Sequence, residues 1–180
     1  FPETTAALEA TVRPLLAAGH VPVLGGFVGA TKDGVTTTLG RGGSDFSGAI
    51  VGSCLHAAEI QIWTDVDGML TADPRVVANP RVVPHISFAE ASELAYFGAK
   101  VLHPATIQPA VARDIPVRIL NSKRAEAPGT LITANRPPSD LGLTALASKK
   151  HVTVVDITST RMLMAHGFLR RLFEVFERHK

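Results

Sequence analysis

Gly40-Arg41-Gly42-Gly43-Ser44-Asp45, continued by Ile50, Val51, Leu55 and Ala58 at helical spacing and then by Ile60-Gln61-Ile62-Trp63-Thr64, reads as a glycine-rich turn, a helix and a strand. Ser44 or Asp45 suits the N-cap of that helix. The alternation extends both ways. Residues 4–18 place Ala7, Leu8, Val12, Leu15 and Leu16 at helical spacing with Gly19 as a stop, and Val21-Pro22-Val23-Leu24 reads as a short buried strand. Glycine-rich 25–29 follows, where backbone can approach a ligand, and Thr31 to Leu39 is a polar loop or hairpin. Downstream, residues 65–86 form a long irregular stretch and Ser87-Phe88-Ala89-Glu90 is a capping box opening a helix to about Phe97. Another helix follows Pro104, and strands are expected at 117–120 and 131–132. Strands alternating with helices predict an α/β domain, a largely parallel sheet sandwiched by helices.

The pattern breaks at residues 135–140, Asn-Arg-Pro-Pro-Ser-Asp, a linker composition. Beyond it, residues 141–160 look like two strands, and Gly167 to His179 like an amphipathic helix with Phe168, Leu169, Leu172, Phe173 and Phe176 on its apolar face. Residues 141–180 are too few to close a core alone, so they read as the first βα unit of a second domain, cut short. The expected organisation is residues 1–134, a linker at 135–140, and an incomplete domain at 141–180.

Composition narrows the function classes. An apolar fraction of 46% in 180 residues is that of a globular chain. Eighteen basic against 16 acidic residues leave +2, too little for a nucleic-acid or membrane surface. Cys54 is the single cysteine, which excludes an internal disulfide and a thiolate zinc cluster. There is no long apolar span and no apolar leader, so a cytoplasmic location is expected. The seven histidines lack metal-ligand spacing, and no metal cage is expected.

The chemistry concentrates in three places. Glycines at the start of a helix expose N–H groups to an anion, and Arg41 adds a cation suited to a carboxylate or phosphate; the alternative is a tight turn with a surface arginine. Asp45 belongs there only if cations or a metal share the site. Thr64-Asp65 ends a strand, where open parallel sheets bind ligands, and Asp67, Asp73 and Arg75 follow; a solvated acidic loop is the competing reading. Lys100, among small residues between two helices, reaches a phosphate or simply faces water.

Residues 36–45, together with Trp63-Thr64-Asp65-Val66 through Thr71-Ala72-Asp73-Pro74-Arg75 and Phe97-Gly98-Ala99-Lys100-Val101-Leu102-His103-Pro104, resemble signatures of the aspartate kinases in the amino-acid kinase superfamily. The resemblance runs from about Val21 to Thr133, and the tail resembles the start of an ACT-type regulatory domain. It implies transfer of the γ-phosphoryl group of Mg-ATP to the side-chain carboxylate of L-aspartate. Arg41, Gly42, Gly43 and Ser44 match the segment that holds aspartate, and Asp45 and Lys100 match catalytic positions. Thr64, Asp65, Arg75, Lys100 and Val101 match nucleotide-binding positions. Met162, Ala165, Gly167, Phe168 and Leu169 match an effector turn for lysine or threonine. Leu70 stands where family members often carry tyrosine, and the family's opening Lys-Phe-Gly-Gly-Thr segment is absent. The chain is therefore expected to start inside the kinase domain and to be inactive by itself, and exposed apolar surface is expected to drive association, with another copy in a homo-oligomer or with the missing segment. A superfamily kinase with another acceptor and a non-catalytic amino-acid-sensing module are the alternatives.

Overall fold

The structure, a computed structural model, describes residues 1–97, 102–137, 143–148, 150–158 and 166–179. Lys100, Val101, Met162 and Ala165, named above as candidate site residues, lie outside the described residues. Two compact units are present, residues 1–149 and 150–180.

In the first unit, α1 (Pro2–Ala17) lays Leu8 and Val12 against Ile50 and Cys54 of α2 (Gly43–Cys54), forming a small apolar cluster. Between them β1 (Val28–Ala30) and β2 (Thr36–Thr38) pair as an antiparallel hairpin. The main sheet holds β3 (Ile60–Thr64), β4 (His85–Ser87), β5 (Val117–Asn121) and β6 (Thr130–Thr133) in the order β3-β5-β6-β4. The β3–β5 and β4–β6 pairs are parallel and β5–β6 is antiparallel, so the sheet is mixed and mostly parallel. Helix α3 (Phe88–Tyr96), a 3-10 turn (Pro104–Ile107) and α4 (Gln108–Val111) supply the helical layer.

Burial explains the strands. Ile60 and Ile62 of β3 face inward while Gln61 and Trp63 face out, the period-2 alternation of a half-buried strand. They meet Met69, Ile86, Phe88, Ile107, Val117, Ile119 and Ile132 in one core. The capping box of α3 forms as its residues dictate. Ser87 Oγ accepts from Glu90 N–H at 3.2 Å, and Glu90 Oε2 accepts from Ser87 N–H at 2.9 Å.

The stretch after β3 is ordered by a distant residue. Thr130, fully buried, accepts from Met69 N–H at 2.8 Å and donates to Val83 C=O at 2.7 Å. Val83 N–H in turn donates to Met69 C=O, and Thr71 N–H to Arg81 C=O. Residues 69–83 are thereby folded back on themselves over the sheet.

Two expectations differ from the structure. Residues 21–24 form no strand: Val21 and Val23 are 87% and 94% exposed, and none of the described strands pairs with them. An apolar run becomes a strand only when an adjacent edge takes up its N–H and C=O groups. Nor do described residues 143–148 and 150–158 contain a strand. Residues 143–148 lie on the first unit instead, with Ala145 against the core and Leu146 N–H donating to Thr71 C=O at 2.9 Å. In the second unit, α5 (Phe168–Arg178) starts at Gly167 and leaves Leu169, Phe173, Val175 and Phe176 exposed.

Candidate active site

Gly42 occupies the N-cap of α2 with φ 71°, a conformation glycine adopts without steric cost. Gly42 has no side chain to cap this helix; Gly43 N–H donates to Gly40 C=O at 3.0 Å, and among the described residues no side chain accepts from the N–H groups of Ser44 and Asp45. Arg41 precedes them, exposed, and makes no ion pair among the described residues. A helix start without a side-chain cap, beside a guanidinium that pairs with none of the described residues, is the kind of arrangement that can receive an anion. The expected N-cap at Ser44 or Asp45 falls inside the first turn, because Gly42 makes the bend.

Two other segments close on this turn. Ser47 Oγ donates to Gly43 C=O and accepts from Phe27 N–H, both at 2.9 Å, tying the glycine-rich 25–29 stretch to α2. A Cβ on Gly43 would sit 2.7 Å from the Phe27 ring, and one on Gly42 2.7 Å from Thr106 Cγ2. Gly26 is held less tightly, its missing Cβ 3.2 Å from Ser44 Cα. Residues 25–29, 40–45 and 103–106 thus meet at one point, two of the recognised motifs among them. The roles of Ser47 and Thr106 depend on segments 20 and 60 or so positions away and had no local signal.

Asp45 is half-buried, and burial raises its carboxyl above the ordinary aspartate value. No cation among the described residues pairs with it. A carboxylate in that state is stabilised by an arriving cation.

Thr64 and Asp65 lie at the C-terminal end of β3, where the Thr64 hydroxyl donates to Asp65 at 3.3 Å. The β5 end lies alongside: Ser122 N–H and hydroxyl both donate to Thr64 C=O, at 2.8 and 2.9 Å. Arg75 is chelated by Asp73, at 2.6 Å for the ion pair, while its side chain is 71% exposed. That hydrogen bond from Arg75 competes with any phosphate for the guanidinium, and it raises the arginine's own affinity for its proton. Asp67, which composition left as a solvated charge, is held by Asn121 and Arg124. Among the described residues there is no group of three or more His, Cys, Asp and Glu that could cage a metal, and no helix long and apolar enough to cross a membrane.

A model of the Amino acid kinase family matches residues 3–121. The chain belongs to the amino acid kinase family. Among relatives in that family, Aspartokinase 3, chloroplastic, of Arabidopsis thaliana is 50% identical over 159 residues, which is 88% of this chain and 28% of that protein. Lysine-sensitive aspartokinase 3 of Escherichia coli is 48% identical over 154 residues, 86% of this chain and 34% of that protein. The crystal structure of E. coli aspartokinase III in complex with aspartate and ADP matches with a TM-score of 0.72 at 41% identity, over 96% of this chain and 38% of that one. The chain therefore spans about a third or less of the relatives it matches. Its mixed, mostly parallel sheet with flanking helices is an amino-acid-kinase-like α/β architecture.

Proposed function

We propose that this chain forms part of an ATP-dependent aspartate kinase, which moves the γ-phosphoryl group of ATP onto the side-chain carboxylate of L-aspartate to give 4-phospho-L-aspartate and ADP. The observation that carries the reading is the start of α2 at Gly42, beside an Arg41 that pairs with none of the described residues, pressed against residues 25–29 and 103–106. In this reading Arg41 pairs a carboxylate of aspartate while the first-turn N–H groups of α2 receive its oxygens. Thr64, Asp65 and Arg75, with Lys100 and Val101, hold the nucleotide at the strand end. Such transfer needs positioning and charge neutralisation rather than a covalent nucleophile.

Mg²⁺ would arrive on the nucleotide phosphates, which asks only one or two carboxylates of the protein. Asp45, half-buried and without a cation of its own among the described residues, fits that demand. The ion would neutralise phosphate charge; Asp45 and Lys100 would hold the reacting groups around it.

Residues 141–180, after a linker at 135–140, are assigned to the start of an ACT-type regulatory domain, and residues 1–134 to the kinase domain. Gly167, Phe168 and Leu169, with Met162 and Ala165, are assigned to binding an effector, lysine or threonine. In support, α5 begins at Gly167 with no side-chain cap. The exposed apolar residues of α5 and of 21–24 support self-association, and the lone buried Cys54 suits a reducing compartment such as the cytoplasm.

The test is ADP release from Mg-ATP by the full-length protein that carries this chain, with aspartate, glutamate, acetylglutamate and UMP as acceptors. Release that depends on aspartate alone supports the reading. Release with another acceptor overturns the substrate assignment, and no release with any acceptor leaves the sensing module as the better account.

A further inference from the structure

Asp65 lies between two held points. On one side, the Thr64 carbonyl accepts two hydrogen bonds from Ser122, through N–H at 2.8 Å and the hydroxyl at 2.9 Å. On the other, Asp67 Oδ1 accepts from Asn121 Nδ2 at 2.7 Å and from Arg124 Nε at 2.9 Å, and Arg124 also pairs with Asp67 Oδ2. All of these partners come from the end of β5 and the turn after it, residues 121–124.

Asn121 is the centre of this clamp. It is 7% exposed, directly opposite Thr64 in the parallel β3–β5 register, and both ends of its amide are used. Its Nδ2 reaches Asp67, and its Oδ1 accepts Lys123 N–H at 2.9 Å, which shapes the turn that carries Ser122 and Arg124. A buried amide bonded at both ends holds a single orientation, because turning it would set donor against donor at Lys123 N–H and acceptor against acceptor at Asp67. Asp67, with its side chain only 26% exposed, is therefore not a solvated loop charge but an anchor.

We infer that Asn121, with Ser122 and Arg124, positions the nucleotide-binding segment Thr64–Asp65. This inference rests on the assignment of that segment to ATP made above. It adds that the β5 turn sets where Thr64 and Asp65 stand, so that ATP binding depends on a pair of residues 54 positions apart. Displacement of such a segment by even an ångström is costly to a bound phosphate ester.

The experiment is steady-state kinetics on the full-length protein, with ATP varied at saturating aspartate and the reverse. Asn121→Asp sets two carboxylates against each other and is expected to raise the ATP KM about tenfold, leaving kcat and the aspartate KM within about twofold. The double variant Asp67→Asn with Asn121→Asp restores a donor–acceptor pair between these positions and keeps an acceptor for Lys123 N–H, while Arg124 exchanges its ion pair for one hydrogen bond to the amide oxygen at position 67; its ATP KM is expected to fall back to within about threefold of the unsubstituted protein. Loss of folded protein lowers the apparent kcat without moving the ATP KM, so instability reads separately. Ser122→Ala, a milder change that removes one of two bonds to Thr64, is expected to raise the ATP KM about twofold to threefold. An ATP KM that stays put in both single variants, one that rises in step with the aspartate KM, or a swap that fails to restore it overturns the positioning role. An unsubstituted protein that releases no ADP takes down the kinase reading, and this inference with it.

Discussion

The hydroxyl of Thr144 donates to Oε1 of Glu90 at 2.9 Å, across 54 positions of sequence. Arg136 joins the pair, donating to Thr144 Oγ1 at 2.7 Å and approaching Glu90 at 3.5 Å. Glu90 already closes the capping box of α3, so one carboxylate starts a helix and also fastens Arg136 and Thr144 onto it. Two residues further on, Leu146 N–H reaches Thr71 C=O in the loop that carries Asp73 and Arg75.

Thr144→Val removes the bridging hydroxyl and keeps the side chain's shape. It is expected to cost about 1 kcal/mol in urea denaturation of the 180-residue chain and to speed hydrogen exchange at Leu146 N–H. Unchanged exchange at Leu146 would show that residues 143–146 hold their place without this link.

The Glu90 carboxyl supplies a pH dependence. Burial pushes its pKa up, but hydrogen bonds from Ser87 and Thr144 and the charge of Arg136 together outweigh this and hold it below the ordinary glutamate value. A depressed carboxyl contributes stability that is complete above the unfolded value, about 4.3, and is lost as pH falls through the lower folded value. The stability difference between the unsubstituted chain and Glu90→Gln is expected to be level from about pH 7 to pH 5 and to shrink below about pH 4. A difference that shrinks toward alkaline pH instead would contradict this origin.

Gly42→Ala combines two penalties, an unfavourable positive φ and a Cβ 2.7 Å from Thr106 Cγ2. A loss of about 1–3 kcal/mol in denaturation is expected. Adding Thr106→Ser deletes the colliding methyl and retains the hydroxyl that donates to His103 C=O at 2.6 Å, so part of the loss should return. If the second substitution restores nothing, backbone strain accounts for the whole effect and the contact with Thr106 is slack.

Arg41→Ala tests the carboxylate assignment. In the full-length protein the aspartate KM is expected to rise about tenfold or more while the ATP KM stays within about twofold, the outcome required if the guanidinium pairs with the acceptor as proposed. Equal rises in both KM values would place Arg41 elsewhere in the site.

Local pattern and spacing sufficed for much of this molecule. The helix from Gly43, strand β3 with its inward Ile60 and Ile62, the capping box of Ser87 and Glu90, and strand β5 all stand where residue order places them. Each is decided within a few residues, by periodicity or by a side chain reaching a near backbone group. The glycines at 40–43 likewise announced a tight turn at the start of a helix, because only a residue without Cβ fits φ 71° against Thr106.

Tertiary structure decided what depends on distant partners. Residues 21–24 have strand composition yet stay exposed, because a strand needs a neighbouring edge as well as apolar side chains. The antiparallel insertion of β5 against β6, the folding of 69–83 around Thr130, and the capture of Asp67 by Asn121 join residues dozens of positions apart. The sequence alone specified which chemical groups this protein owns and the short elements that carry them. Which of those groups face one another was settled only by packing, since a hydrogen bond across 54 residues leaves no periodic trace in the chain.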